Sequence, residues 1–127
     1  MGTRWSAICY ADGINEAVLA AELQAAVDAV DDTMSTWQAQ SALMQFNRAE
    51  LAQWVTMPVA LCAVIALALQ IGVQSRGAFE IGVGAAVEAW GFGASRCLPD
   101  PVAIGQLRSQ SAATAIEVDL AHARLRR

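Results

Sequence analysis

Between Gly77 and Gly93 the chain reads Gly-Ala-Phe-Glu-Ile-Gly-Val-Gly-Ala-Ala-Val-Glu-Ala-Trp-Gly-Phe-Gly, and five of its nine glycines fall there, among Phe79, Trp90 and Phe92. Glycine lets a backbone approach a flat or charged ligand closely, and aromatic rings supply walls. Glu80 can accept hydrogen bonds from ribose hydroxyls or an adenine amine, while Ala78 and Phe79 can offer backbone amides and a ring edge. Ile81 and Val83 alternate with Gly82 and Gly84. Read as an extended segment, they bury one face and leave the other bare, open to a ligand or to a tightly packed helix. Gly82-Val83-Gly84-Ala85-Ala86-Val87 also approaches a dinucleotide fingerprint, with Val87 where its third glycine belongs. A second aromatic stands apart. Trp37 follows the turn-forming pair Ser35-Thr36, which places it at a corner, where it can stack on a ligand or fold back onto the core.

These residues need elements to hold them. Thr3 to Tyr10 is rich in aromatic and branched residues, ends at Ala11-Asp12-Gly13 and predicts a first strand. Ile14, Val18, Leu23, Val27, Val30 and Met34 recur at helical spacing, so they are expected as a core stripe, with Asp28, Asp31 and Asp32 solvated near the helix end. Ser41 is a cap for a short helix that turns Leu43, Met44 and Phe46 inward and ends near Asn47. Thr56-Met57-Pro58 reads as the start of another helix. Its apolar run, Met57 to Leu69, falls short of the roughly 20 residues a membrane span requires and predicts a buried core helix. Gly77 suits the position just past that helix. Leu98-Pro99-Asp100-Pro101 is a loop that starts a short helix over Val102 to Ser109. Ile116, Val118 and Leu120 alternate with Glu117 and Asp119, and a change of phase near His122 predicts a hairpin or a bulge. The chain then ends inside the second strand, read as an open edge and a sign of truncation.

Composition bounds the functions. The 127 residues are 56% hydrophobic and 16% charged, a folding composition. A net charge of −4, all basic residues being arginine, argues against a nucleic-acid partner; Arg124, Arg126 and Arg127 look like the polar side of a strand. Cys9, Cys62 and Cys97 are widely spaced, predicting reduced and mostly buried thiols rather than a disulfide frame or a zinc site. The single histidine, His122, reads as a turn or surface residue.

Four ordered segments carry a family resemblance. Met1-Gly2-Thr3, Met34-Ser35-Thr36-Trp37, Ser41-Ala42-Leu43-Met44-Gln45-Phe46-Asn47, and Gly-Ala-Phe-Glu-x-x-Val-Gly followed by Trp-Gly-Phe-Gly together resemble the ApbE-type FAD:protein FMN transferases. The family usually has Asp at position 80, and Thr and Pro at 82 and 85. Its later motifs, an Asp-Leu-Gly-Gly-Ile-Ala-Lys-Gly-like stretch and a His-x-x-Asp-Pro segment, do not occur in this sequence. The resemblance implies an α+β fold, the N-terminal portion of the ApbE-like (T-fold-like) architecture with helices packed on an antiparallel sheet, as a single incomplete domain over 1–127.

It also implies an activity: transfer of FMN from FAD to a Ser or Thr hydroxyl of a target flavoprotein, with release of AMP and a requirement for magnesium. Met1, Trp37, Ala78, Phe79 and Glu80 are the positions that resemble the family's FAD contacts. The magnesium ligands are expected in the half of the family pattern that this sequence lacks, so the chain alone is expected to be inactive. FAD and a flavoprotein target are the expected partners, with no nucleic acid and no transmembrane helix. The sequence itself is expected to carry no secretion signal, while the resemblance implies relatives that are often periplasmic and lipid-anchored, and localisation stays open. Two other readings stay open: a non-catalytic flavin- or nucleotide-binding module, and a membrane-associated interaction protein that uses the Met57 to Val73 helix.

Overall fold

The apolar run beginning at Pro58 organises the molecule. In the computed structural model, which describes residues 4–10, 12–92, 98–107 and 115–127, it forms a helix with Pro58 as N-cap, Val59–Gln74. Pro58 needs no amide partner there, and the Ala- and Leu-rich stretch after it loses little on becoming helical. In chain order the helices are α1 (Glu16–Met34), α2 (Ala42–Arg48), α3 (Val59–Gln74), α4 (Gly84–Ala89) and α5 (Pro101–Leu107), and the strands are β1 (Val55–Thr56), β2 (Glu117–Asp119) and β3 (Arg124–Arg126). A 3-10 turn, Ile81–Val83, leads into α4.

The sheet is antiparallel, with strand order β1-β3-β2. Val55, Leu125 and Val118 lie in one row across it, and Thr56, Arg124 and Asp119 in the next. A side-chain period of two sends these rows to opposite faces. The first row joins the core of Phe46, Met57, Leu61, Cys62 and Ile65, so α3 packs on the sheet. The face of the second row carries charge: Arg124 bonds Asp119 at 2.8 Å in that row and Arg126 bonds Glu117 at 2.6 Å in the row on the other side of Leu125, each pair directly opposed across the ladder. Both guanidinium groups also sit 4.8 Å from the ring of Trp54. This places the arginines at 124 and 126 on the polar face, as expected, whereas Arg127 lies past the end of the strand and donates to Ala49 O. The open edge is corrected, however, because β3 is the central strand and Leu125 is 0% exposed. β1 pairs with β3 on that side, and its Thr56 is strand rather than the helix start the sequence suggested.

Other expectations change as well. Arg4–Tyr10 is exposed and belongs to no ladder, because a strand needs a partner and none of the described strands pairs with it. The helix after Gly13 forms, with the Asn15 side chain accepting from the amides of Ala17 and Val18. Its stripe is not core: α1 has no buried residue, Ile14, Val18 and Val30 are exposed, and Met34 at its C-terminal end is the stripe member that packs against the core. An open cleft of about 620 Å³ separates its first turns from Trp5, Ile8 and Cys9. Helix α3 is half of what was expected. Leu61, Cys62, Ile65 and Ala68 are buried, but Val59, Val64, Leu67 and Ile71 face outward. No helix among the described residues is long and apolar enough to cross a membrane.

Local signals fare better. Ser41 caps α2, with its Oγ accepting from Met44 N at 3.1 Å, and Phe46 turns inward. Asp100 Oδ1 accepts from the amides of Val102 and Ala103 to start α5. The hairpin turns at His122, whose ring meets Asp119 at 2.9 Å. Cys62 is buried, and burial pushes its thiol pKa up; Cys9 is exposed, against expectation. Cys97 lies outside the described residues.

Candidate functional site

The C-terminal end of α3 builds the site. Gly77 N donates to Gly72 O at 2.9 Å and Arg76 N to Val73 O at 3.1 Å, the paired bonds of a Schellman ending. The left-handed residue such an ending requires is Arg76, at φ +54°, followed by Gly77 at +82°. The helix therefore stops one residue earlier than the glycine suggested. Ser75 secures the returning chain: its Oγ donates to Gly72 O at 3.1 Å and accepts from Phe79 N at 3.0 Å.

This ties Phe79 down against the helix. A β-carbon at Gly72 would lie 3.2 Å from the Phe79 carbonyl oxygen, so the bare Gly72 surface is what allows the approach. Glu80 then caps the 3-10 turn, its Oε1 accepting from Gly82 N at 2.9 Å. The glycine-rich segment is thus helical from Ile81 to Ala89 rather than extended. Carboxylate capping and small residues favour the turn, and none of the described strands pairs with this segment. The dinucleotide-fingerprint reading fails on the same ground, since no described strand leads into Gly82.

Between α3 and this returning segment lies a recess of about 280 Å³, lined by Leu69, Gly72, Arg76, Phe79, Glu80 and Ile81 among others. Its lining residues include apolar side chains, an aromatic residue, an arginine and a glutamate. That set can hold a flat group by its face and a polar group by charge. Phe79 and Glu80 are therefore brought together. Ala78 stands next to them but does not line the recess. The amides behave differently from expectation: Ala78 N donates to Ser75 O and Phe79 N to Ser75 Oγ, so both are used in closing the helix end.

Trp37 occupies its own corner. The buried Ser35 Oγ accepts from the amides of Trp37 and Gln38, and Ser41 Oγ donates to Ser35 O at 2.6 Å, fixing the turn between α1 and α2. The indole is 47% exposed there. Trp37 does not line the Phe79 and Glu80 recess, so a ligand that touches both must reach beyond it. Met1 lies outside the described residues. Among the described residues no three of His, Cys, Asp and Glu are grouped to hold a metal ion. Sequence reasoning singled out none of Gly72, Ser75 and Arg76. Ser-Arg-Gly after an apolar helix was the available signal.

The ApbE family model matches residues 1–127. The chain belongs to the ApbE family. FAD:protein FMN transferases resemble it closely: that of Klebsiella pneumoniae (strain 342) is 36% identical over 124 residues, covering 93% of this chain and 35% of that protein. The Escherichia coli (strain K12) protein of the same name is 39% identical over 95 residues, covering 73% and 27%. Among solved structures, the apo form of the Pseudomonas stutzeri flavinyl transferase ApbE superposes with a TM-score of 0.78 at 25% identity, over 93% of this chain and 40% of that one. The flavin transferase ApbE from Vibrio cholerae, at 21% identity and TM-score 0.80, shows the shared fold. This ApbE-family chain spans about a third of the length of the curated relatives it matches. Its α+β architecture, helices on a small antiparallel sheet, is the one expected.

Proposed function

We propose that this ApbE-family chain forms one wall of the FAD site of an FAD:protein FMN transferase, as a single incomplete domain over 1–127. In the reaction, a Ser or Thr hydroxyl of a target flavoprotein attacks the phosphorus of the FMN half, the pyrophosphate P–O bond breaks, and AMP leaves. The observation that carries the reading is the recess that Phe79 and Glu80, from the segment most like the family signature, line together with Gly72.

Phe79 offers its ring to a flat group and Glu80 accepts from hydroxyl or amine hydrogens, while Ala78 shapes the backbone between them. Trp37 and Met1 are assigned to the same ligand from separate segments. Magnesium would neutralise charge on the phosphoryl group, but the described residues offer no group of ligands for it. Under this reading its ligands come from the part of the family pattern absent from these 127 residues.

Titration of the 127-residue chain with FAD, read by quenching of flavin fluorescence, tests the wall, and saturable binding is expected. Incubation with FAD, magnesium and a target bearing an acceptor Thr tests the chemistry. The chain alone should leave the target unmodified, and a version extended to family length should produce covalent flavin and free AMP. Failure to bind FAD in both forms would remove the assignment. Binding with no transfer by the extended form would instead favour a non-catalytic flavin-binding module.

A further inference from the structure

The Ser75 hydroxyl joins the end of α3 to the segment that returns across it. Its Oγ donates to Gly72 O at 3.1 Å and accepts from Phe79 N at 3.0 Å, so its proton and a lone pair are both committed. The Ser75 carbonyl accepts from Ala78 N at 3.2 Å. Gly72 O takes a second donor, Gly77 N at 2.9 Å, and a carbonyl that a helix end would leave short of partners is thereby satisfied twice. Ser75 thus holds consecutive amides of the returning chain, Ala78 through its main chain and Phe79 through its side chain.

Phe79 is fixed from both sides by this arrangement. Its amide is bound to Ser75 Oγ, and its carbonyl oxygen lies 3.2 Å from where a β-carbon on Gly72 would stand. Phe79 and Gly72 line the recess, whereas Ser75 is not among its lining residues. An effect of Ser75 on a ligand there must therefore pass through Phe79. The bonds from Gly77 N to Gly72 O and from Ala78 N to Ser75 O turn the chain back without any hydroxyl, so ending the helix does not by itself call for a serine. A hydroxyl that serves the helix end and nothing more is the competing explanation.

We propose that Ser75 is a positioning residue of the FAD site, whose hydroxyl holds Phe79 against α3 before the ligand arrives. This role rests on the FAD-site reading above. Its physical content is preorganisation: a segment already ordered in the free protein spares binding the cost of ordering it. Ser and Thr both place a donor and an acceptor on one oxygen next to the β-carbon, and Ala places neither.

Titration of the full 127-residue chain with FAD, read by flavin fluorescence, tests the role in the parent, Ser75→Ala, Ser75→Thr, Phe79→Ala, and Ser75→Ala combined with Phe79→Ala. Asn15→Ala, which loses the cap of α1, is the control for a general loss of stability. Ser75→Ala should weaken FAD about three- to tenfold, the net worth of one hydrogen bond. Ser75→Thr should recover most of that, and Asn15→Ala should leave the affinity unchanged. With Phe79 already truncated, Ser75→Ala should weaken FAD no further, the non-additivity of two groups that act as one. Where Ser75→Ala does not fold, Ser75→Cys, with a weaker donor and acceptor, takes its place in the same comparison. An equal penalty with and without the Phe79 ring, or a Ser75→Ala affinity equal to the parent's, overturns the proposal and leaves the FAD-site reading standing. Absence of FAD binding in the parent rejects both.

Discussion

The carbonyl oxygen of Phe79 lies 3.2 Å from the place a β-carbon on Gly72 would occupy. Gly72 is inside α3, where Ala would favour the helix by about 0.8–1.0 kcal/mol. Gly72→Ala sets that gain against crowding of the Phe79 carbonyl. Stability should stay within about 1 kcal/mol of the parent, while FAD affinity falls as the Phe79 segment lifts from the helix. Thermal melting and FAD titration on one preparation separate the two effects.

Glu80→Ala removes the carboxylate that caps the turn at Gly82 and, under the proposed function, a ligand contact. A lost cap costs about 0.5–2 kcal/mol, so a lower urea midpoint and weaker FAD binding should appear together. Glu80→Asp, the residue usual in the family, should keep both the cap and the binding. Weak binding by Glu80→Asp with an intact midpoint would show that the added methylene is needed here.

Ser41→Ala should act at the Trp37 corner. Ser41 is buried, donates to Ser35 O and caps α2 through Met44 N. Removing its hydroxyl loses the cap and leaves the Ser35 carbonyl short of a partner, a loss of about 1–3 kcal/mol. Denaturant unfolding reads the loss, and Ser41→Thr, which keeps the oxygen, should recover part of it.

Leu125→Ala strikes the centre of the sheet. The side chain is fully enclosed between β1, β2 and α3. Such truncations cost about 2–5 kcal/mol, a large share of the roughly 5–15 kcal/mol that holds a domain together. The variant should populate unfolded chain at ordinary temperature, seen as lost near-ultraviolet circular dichroism. A stable Leu125→Ala would contradict the central placement of β3.

Asp119 makes the hairpin sensitive to acid. Partial burial raises its carboxyl pKa, but hydrogen bonds from Arg124 and His122 outweigh this and hold it below the ordinary 3.8. A carboxylate depressed in the folded state stabilises the fold above its unfolded pKa and loses that contribution as pH falls through the folded one. The parent should therefore lose stability on acidification below about pH 4. Asp119→Asn should begin less stable at neutral pH and show a flatter acid limb in pH-dependent melting.

Much of this molecule was legible along the chain. Ser41 and Asp100 mark helix starts because a cap acts on amides only two or three residues away, Pro58 marks one because its ring fixes φ and it has no amide to satisfy, and the His122 turn was visible where the alternation shifts phase. The Phe79-Glu80 pair was also legible, as part of a resemblance carried by ordered motifs. By contrast, the Ile81-Gly82-Val83-Gly84 alternation pointed to a strand, and the backbone became helical once Glu80 turned to cap it. The α1 stripe pointed to a core that α2 covers only near Met34.

By itself, the sequence determined the family, the helix boundaries set by capping and the apolar character of α3. Only the tertiary structure decided that Leu125 pairs with Val55 as well as Val118, making β3 central, and that Arg76 shares a recess with Glu80. The reason is range. Caps and turns are settled by groups within a few residues, whereas strand order and a recess wall depend on segments distant in the chain, brought together because Leu125, Leu61 and Phe46 are excluded from water as one cluster.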